Sequence, residues 1–201
     1  MNYLLNVKTL RNEYYIQRHG ESSASKKKMI LSHPVDGQSI EFALTEFGKE
    51  QTKQSARKAL KNKWLDDQTI IYSSNFSRTR QTAAITRKIL GAPPVNITNK
   101  LRERFFGKWE RTENKNYVKV WENDAKDYKH KINEVESVDE ILSRVTALIL
   151  SLEHKYNGRK ILLVSHGDTL QILQTAFAKI HPSHHPSSSY LGLAEIRILK
   201  F

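Results

Sequence analysis

The sequence predicts an α/β fold in which helices cover both faces of a mostly parallel sheet, within a single domain that spans residues 1–201. Two observations predict it. Short continuous apolar runs end at polar motifs, and longer segments with apolar residues at every third or fourth position lie between those runs. This alternation of strands and helices is typical of one sheet layered by helices.

Three apolar runs predict buried strands: Tyr14–Ile16, Thr69–Tyr72 and Lys160–Val164. Because these runs are apolar without interruption, we expect both faces of each strand to be covered, as in parallel sheets. The stretch Glu195–Phe201 alternates between apolar and polar residues instead, which favours a strand at the sheet edge.

The clearest predicted helix begins after Ser137, because Ser137 and Glu140 have the spacing of a capping box. Apolar residues then recur on one helical face, and Asn157-Gly158 is expected to end the helix. Three further helices are predicted: Thr45 to about Asn62, Arg78 to about Leu90, and Thr169 to about Lys179.

Three segments have no regular pattern. Asp36–Gln38 and His181–Ser189 are interpreted as irregular loops, and the polar, aromatic-dotted segment 105–134 is a candidate cover for a site. The spacing of His181, His184 and His185 matches no standard metal-ligand pattern, so we predict no metal site there. We interpret these histidines as part of a surface loop near the mouth of a site.

The composition favours an anionic partner. The net charge is +12, which suits either nucleic acid or a phosphorylated small molecule. The basic residues are spread along the chain without any nucleic-acid-binding signature, so we do not expect nucleic acid. The chain has no cysteine, no apolar run long enough to span a membrane and no secretory signal, and we expect a cytoplasmic location.

Polar motifs lie where the predicted strands end: Arg18-His19-Gly20, Arg78 and His166-Gly167. In open α/β sheets, ligands bind beyond the carboxyl ends of the strands. We therefore expect two histidines and two arginines to meet at one rim. Guanidinium groups match phosphate oxygens, and a neutral imidazole between them can attack phosphorus. Such a reaction also needs an acid for the leaving oxygen.

These residues resemble the histidine phosphatase superfamily, also called phosphoglycerate mutase-like. A lone Arg-His-Gly would be weak support, but matching segments follow one another in the family order from about residue 13 to 199. They are Tyr15–Ser22, which contains Arg-His-Gly, Leu44–Gly48, Ser73–Ala83, Leu101–Glu110 and Leu163–Gly167.

The resemblance implies a role for each candidate residue. His19 would be the nucleophile, and Arg18 and Arg78 would bind the phosphate. His166 would complete the phosphate pocket, and Glu103 would protonate the leaving oxygen. Substrate binding would involve Arg18, Gly20, Ser25, Arg78, His166 and Gly167. No metal and no organic cofactor is implied.

Several points stay open. Many family members have Asn where this chain has Ser25, and a frequent Trp-Glu-Gly reads Trp109-Glu110-Arg111, which could add positive charge near the substrate. Glu110, Glu113 and Glu21 are alternatives to Glu103 as the acid, and Arg80 is an alternative to Arg78. The sequence does not define the oligomeric state.

The resemblance implies a phosphomonoesterase acting on a small phosphate ester and releasing inorganic phosphate. One alternative is a mutase, which needs a longer cover to exclude water. Only about thirty residues separate Glu103 from Ser137, which favours the phosphatase. The other alternative is a weakened phosphate- or nucleic-acid-binding relative, which the complete set of motif residues disfavours.

Overall fold

The computed structural model describes residues 1–201 and is built on a five-stranded sheet. The strands are β1 (Glu13–Arg18), β2 (Ile70–Ser74), β3 (Asn96–Thr98), β4 (Lys160–Ser165) and β5 (Ile196–Ile198). Their order in the sheet is β3-β2-β4-β1-β5. The first four are parallel, and β5 pairs antiparallel with β1 at the edge. The predicted fold class and edge strand are confirmed.

The helices are α1 (Ser23–Lys26), α2 (Glu46–Lys61), α3 (Ser77–Leu90), α4 (Tyr117–Lys126), α5 (Val138–Lys155) and α6 (Gly167–Ala178). The predicted capping box at the start of α5 forms, with the Ser137 hydroxyl and the Glu140 carboxylate each bonded to the other residue's backbone. Helix α5 ends at Lys155 with its C-cap at Tyr156, directly before the predicted Asn157-Gly158. The predicted start of α6 at Thr169 was two residues late, because extended His166 alone turns the chain from β4 into the helix.

Helices cover both faces of the sheet, as predicted. Side chains alternate along each strand, so Ile16 and Leu163 face α5 and α6, while Leu162 and Val164 face α2 and α3. The core on the first face contains 21 buried residues, and the core on the second contains 10. The larger core lies under α5, whose apolar face was the clearest helical pattern in the sequence.

Several segments differ from the sequence-based expectation. Strand β3 and helix α4 were not predicted, and Asp36–Gln38 forms a 3-10 turn. Pro182–Ser187 is also 3-10, and His185 within it is fully buried. The interpretation of His181–Ser189 as a surface loop was therefore wrong for His185, whose ring bonds to the buried carboxylate of Asp124 at 3.0 Å.

The register of β1, β2 and β4 brings the last residues of these three strands side by side. Arg18 at the end of β1 pairs with Ser165 at the end of β4, and Val164 of β4 pairs with Ser73 of β2. The carboxyl ends of these three central strands therefore meet at one rim. None of the helices combines the length and the apolar character needed to cross a membrane.

Candidate active site

His19 lies directly after β1 and is only 5% exposed. Its Nδ1 lies 2.8 Å from the carbonyl oxygen of Gly20. A carbonyl only accepts hydrogen bonds, so Nδ1 carries the proton and Nε2 carries the lone pair. Arg78 Nε donates to that Nε2 at 3.1 Å. The nitrogen with the free electron pair therefore faces the guanidinium of Arg78.

Arg78 lies in the first turn of α3 and is buried. Its Nη2 donates to the carbonyl oxygen of Leu31 at 3.0 Å, while its buried Nη1 has no hydrogen-bond partner in the protein. Burial lowers the pKa of Arg78 to about 10, so the side chain is still charged at neutral pH. An anion in this position would meet a fixed cation with an unused donor.

Arg18, the last residue of β1, supplies the second guanidinium. Its Nη1 donates to the carbonyl oxygen of Leu191 at 3.0 Å and to the hydroxyl of Tyr190. Its Nε is buried without a partner. Gly167 packs against it, since a Cβ at Gly167 would lie 3.4 Å from Arg18 Cζ. The unused donor and the close glycine leave Arg18 ready to bind an oxyanion.

Gly20 lies directly after His19, where its close packing leaves no space for a side chain. A Cβ at this position would lie 2.3 Å from the carbonyl oxygen of Gly48, so only glycine fits beneath the start of α2. Its N–H donates to the hydroxyl of Thr82 at 3.2 Å. Gly20 therefore lets the chain turn beside His19, while its amide bonds within the protein.

His166 follows β4 and is completely buried. Its Nε2 shares a hydrogen bond of 2.9 Å with the hydroxyl of Ser74, and its Nδ1 has no protein partner. The ring centroids of His19 and His166 are 5.3 Å apart. His166 therefore stands beside the candidate nucleophile with one nitrogen uncommitted.

The electrostatics of the site keep both histidines neutral. Burial lowers the pKa of His19 well below its ordinary value, and the nearby charges of Arg78 and Arg18 lower it further. The pKa of His166 is lowered by burial, then by Arg78 and His19. A neutral imidazole retains the lone pair that a nucleophile requires.

Glu103 faces the same cavity and is 6% exposed. Its Oε1 accepts from the N–H groups of Arg104 at 3.0 Å and Thr169 at 3.3 Å. Burial and the charge of Asp168 raise the pKa of Glu103, although Arg78 opposes the shift. The carboxyl group therefore keeps its proton to a higher pH than usual, which suits a proton donor.

The alternative residues lie elsewhere. Glu110 accepts hydrogen bonds from the N–H groups of Ser32 and His33, Glu21 accepts from the Thr45 hydroxyl, and Glu113 forms a surface ion pair with Lys115. None of the three lines the cavity that contains His19. Arg80 is exposed and lines a different depression. The geometry favours Glu103 and Arg78.

The phosphate-sized cavity has a volume of about 70 Å³. Ser25 lines it, yet its hydroxyl donates to the Ser22 carbonyl oxygen at 2.9 Å and accepts from the Ser22 N–H at 2.7 Å. The Ser25 hydroxyl, which a phosphate contact would need, is therefore used in the capping box with Ser22, the N-cap of α1. Arg111 forms an ion pair with Asp36 at 2.9 Å, which offsets the charge that it could have added near the substrate. The cavity is lined by Arg18, His19, Ser22, Ala24, Ser25, Met29, Leu31, Arg78, Glu103, Asn114 and Tyr117.

A second cavity, of about 270 Å³, adjoins the first beyond Glu103. Its wall includes Tyr117 and Trp121 of α4 and the exposed Tyr190, which sequence reasoning did not identify. Tyr190 follows directly after the predicted loop His181–Ser189, and the only signal for Tyr117 and Trp121 was the scatter of aromatic residues through segment 105–134. That segment does cover the site, and it does so with a helix.

The chain is similar in sequence to known proteins. Residues 14–201 match the histidine phosphatase superfamily (branch 1). The probable phosphoglycerate mutase GpmB of Escherichia coli is 33% identical over 168 residues, which are 80% of this chain and 72% of that protein. Phosphoglycerate mutase-like protein 4 of Arabidopsis thaliana is 24% identical over 177 residues, covering 85% of this chain and 72% of that protein.

Solved structures have the same fold. A mycobacterial glucosyl-3-phosphoglycerate phosphatase superposes with a TM-score of 0.77 at 21% identity, over 92% of this chain and 91% of that one. A phosphoserine phosphatase from Entamoeba histolytica gives a TM-score of 0.73 at 23% identity, over 93% and 89% of the two chains. With the family match over residues 14–201, the chain belongs to the histidine phosphatase superfamily, branch 1.

Proposed function

We propose that this protein is a phosphomonoesterase that hydrolyses a small phosphate ester through a phosphohistidine at His19 Nε2. One observation carries the proposal: a buried, neutral imidazole presents its lone pair beside two guanidinium groups with unused donors, and a carboxyl with a raised pKa faces the same cavity. Phosphoryl transfer requires these parts, which are a nucleophile, fixed positive charge and a proton donor.

In the first step, the phosphoryl oxygens replace His19 Nε2 as the acceptor of the Arg78 Nε hydrogen bond. The Nε2 lone pair forms a bond to phosphorus while the bond from phosphorus to the ester oxygen breaks. Glu103 transfers its proton to that oxygen, and the alcohol departs. The hydrogen bond from Nδ1 to Gly20 orients the ring and stabilises the positive charge that it gains.

In the second step, Glu103 is ionised and accepts a proton from water as the water oxygen attacks phosphorus. The bond between nitrogen and phosphorus breaks, its electrons return to Nε2, and inorganic phosphate leaves. Arg18, Arg78 and His166 hold the transferring group in both steps, so the two transition states share one set of donors.

A mutase is the second candidate, because the sequence relatives include proteins named as phosphoglycerate mutases. It would return the phosphoryl group to another hydroxyl instead of to water. The short connection between Glu103 and α5, in which α4 is the main helix, favours water as the acceptor. Release of one phosphate per ester consumed, without an isomeric ester, is expected, and an isomeric product would reverse this choice.

The deciding experiment measures phosphate release from an aryl phosphate by the wild type, His19→Ala and the matched control His154→Ala, which removes an exposed histidine near the end of α5. Labelled enzyme is quenched in acid and in alkali, because phosphohistidine is labile in acid and stable in alkali. We expect an alkali-stable adduct and turnover in the wild type and the control, and neither in His19→Ala. Full activity in His19→Ala would contradict the proposal.

A further inference from the structure

The second cavity is where the leaving group of the substrate would lie. It shares Arg18, Glu103, Asn114 and Tyr117 with the phosphate-sized cavity, so the two are continuous around the candidate acid. Because Glu103 must reach the ester oxygen, the alcohol part of the substrate extends past Glu103. The chemistry of this second wall therefore selects the alcohol.

One part of the wall is aromatic and fixed in place. Tyr117 and Trp121 lie one turn apart on α4 with their rings stacked, at a centroid distance of 5.7 Å and an interplanar angle of 9°. Trp121 Nε1 donates to Asp168 Oδ1 at 2.9 Å, which anchors the indole. Val118 and Tyr190 complete an apolar mouth and are 52% and 60% exposed. A ring of sugar or nucleoside size finds apolar contact here within about 270 Å³.

Apart from Arg18 and the candidate acid, the polar side chains of the wall are neutral groups and one carboxylate. The carboxylate of Asp168 lines the cavity and already accepts from Trp121 Nε1 and Arg104 Nη1. The amide of Gln171 donates to the carbonyl oxygen of His185 at 3.3 Å, which leaves its own oxygen without a protein donor. Acceptors bind hydroxyl or N–H groups of a ligand and repel a carboxylate. Arg18 is the single cation among the ten lining residues, and it belongs to the phosphate site.

We infer that the substrate of the proposed phosphatase reaction is a phosphate ester of an uncharged, hydroxyl-rich ring, a pyranose or a nucleoside, and not of a carboxylate-bearing alcohol. The inference rests on the proposed function for the position of the ester bond. Tyr117 and Trp121 contact the ring, and Asp168 and Gln171 accept hydrogen bonds from its hydroxyl groups. The charge of Asp168 is already paired with Arg104. An extra carboxylate of the substrate would therefore need a cation of its own, and the lining supplies none besides Arg18, which binds the phosphate.

The test compares esters that differ in one group. Glucose 1-phosphate and glucuronic acid 1-phosphate have the same ring and differ by one carboxylate, and glycerol 3-phosphate and 3-phosphoglycerate form an acyclic pair. Uridine 5′-monophosphate distinguishes a nucleoside from a pyranose, and phosphoethanolamine tests a cationic alcohol. We expect kcat/KM for glucose 1-phosphate or the nucleotide to exceed that for every carboxylate-bearing ester by at least about tenfold. Preference for a carboxylate-bearing or cationic alcohol would overturn the inference.

Two variants test whether the wall of the second cavity causes the preference for ring esters. In Trp121→Ala the ratio of kcat/KM for the preferred ring ester to that for glycerol 3-phosphate should fall at least about fivefold. Trp64→Ala is the matched control, because Trp64 is 38% exposed and lies at the far end of α2, outside both cavities. An unchanged ratio in Trp121→Ala, with the variant folded by circular dichroism, would also overturn the inference.

Failure of the inferred substrate class can be distinguished from failure of the proposed function. If an aryl phosphate is hydrolysed but carboxylate esters are preferred, the phosphatase stands and the substrate class is wrong. If no ester is hydrolysed, the proposed function fails, and calorimetry on His19→Ala then decides the ligand class. Tighter binding of glucose 1-phosphate than of glucuronic acid 1-phosphate would support the uncharged ring, and equal or weaker binding would exclude it.

Discussion

At the scale of single residues, one physical cause prepares both the proposed nucleophile and the proposed acid. Burial disfavours the charged form of any titratable group, so it lowers the pKa of His19 and raises the pKa of Glu103. Both groups are thereby kept neutral in the pH range where an ordinary histidine and glutamate would begin to ionise. The proposed reaction needs both neutral forms at its start.

Glu103→Gln tests the role of the acid. Glutamine retains the shape of the carboxyl but cannot donate a proton to the leaving oxygen, so hydrolysis of an alkyl phosphate should slow at least about 100-fold. A nitrophenyl phosphate has a good leaving group and should lose much less. The alkaline decline of kcat/KM in the wild type should also disappear, because it reports ionisation of Glu103. Equal losses for both esters would contradict the assignment, and Glu113→Gln at the surface is the control.

The buried histidines should make the fold sensitive to acid. Below the ordinary histidine pKa of 6.5, the unfolded chain binds protons that His19 and His166 do not bind in the folded state. The free energy of unfolding therefore falls as pH decreases from about 6.5, by up to about 1.4 kcal/mol per pH unit for each histidine. Urea unfolding between pH 7 and 5 should show a shallower dependence in His19→Ala. If the free energy of unfolding of His19→Ala depends on pH as steeply as that of the wild type and of the control His154→Ala, this expectation is contradicted.

At the scale of elements, a buried charged network connects α4 to the strand ends. Arg104 is completely buried and donates to Asp124 on α4 at 2.7 and 2.8 Å and to Asp168 on α6 at 3.1 Å. Although burial opposes it, hydrogen bonds from Arg104 and His185 hold the pKa of Asp124 well below its usual range. Since the Arg104 N–H also bonds to Glu103, the network positions both the acid and the covering helix.

Asp124→Asn should therefore affect stability and activity together. It removes the main counter-charge of a buried guanidinium, which costs about 3 kcal/mol in the free energy of unfolding. Because α4 carries Tyr117 and Trp121, KM for the preferred ester should rise more than kcat falls. Chemical denaturation and steady-state kinetics measure the two effects, with exposed Asp67→Asn as the control. Wild-type stability in Asp124→Asn would show that the network is dispensable.

The strands and helices differ in how far they could be predicted from the sequence. Strands β1, β2 and β4 were predictable because both of their faces are buried, and the motif residues follow from where these strands end. Helix α4 was not predictable, since it buries Asp124 against an arginine from a distant segment and has no side-chain cap at Asn116. His185 was wrongly predicted to lie in a surface loop, because its buried contact with Asp124 also joins two distant segments. Ion pairing between distant segments leaves no periodic signal in the sequence.

At the scale of the whole molecule, the net charge of +12 includes basic residues that lie near the phosphate-sized cavity. Lys26, Lys27 and Lys28 are exposed and follow directly after Ser25, and Met29 continues the lining of the pocket. These lysines add positive potential at the mouth of a site that, in the proposed function, attracts a dianion. Lys58, Lys61 and Lys63 carry the same charge at the far end of α2.

The two lysine clusters allow a matched test of electrostatic attraction. Raising salt from about 0.01 to about 0.1 M shortens the Debye length from about 30 to about 10 Å, so inhibition by inorganic phosphate should weaken. Replacing Lys26, Lys27 and Lys28 by glutamine should raise the inhibition constant at low salt by about threefold and flatten its salt dependence. The same replacement at Lys58, Lys61 and Lys63 removes an equal charge and should have a smaller effect. Equal effects of the two triple variants would mean that net charge, and not charge at the pocket mouth, attracts the phosphate.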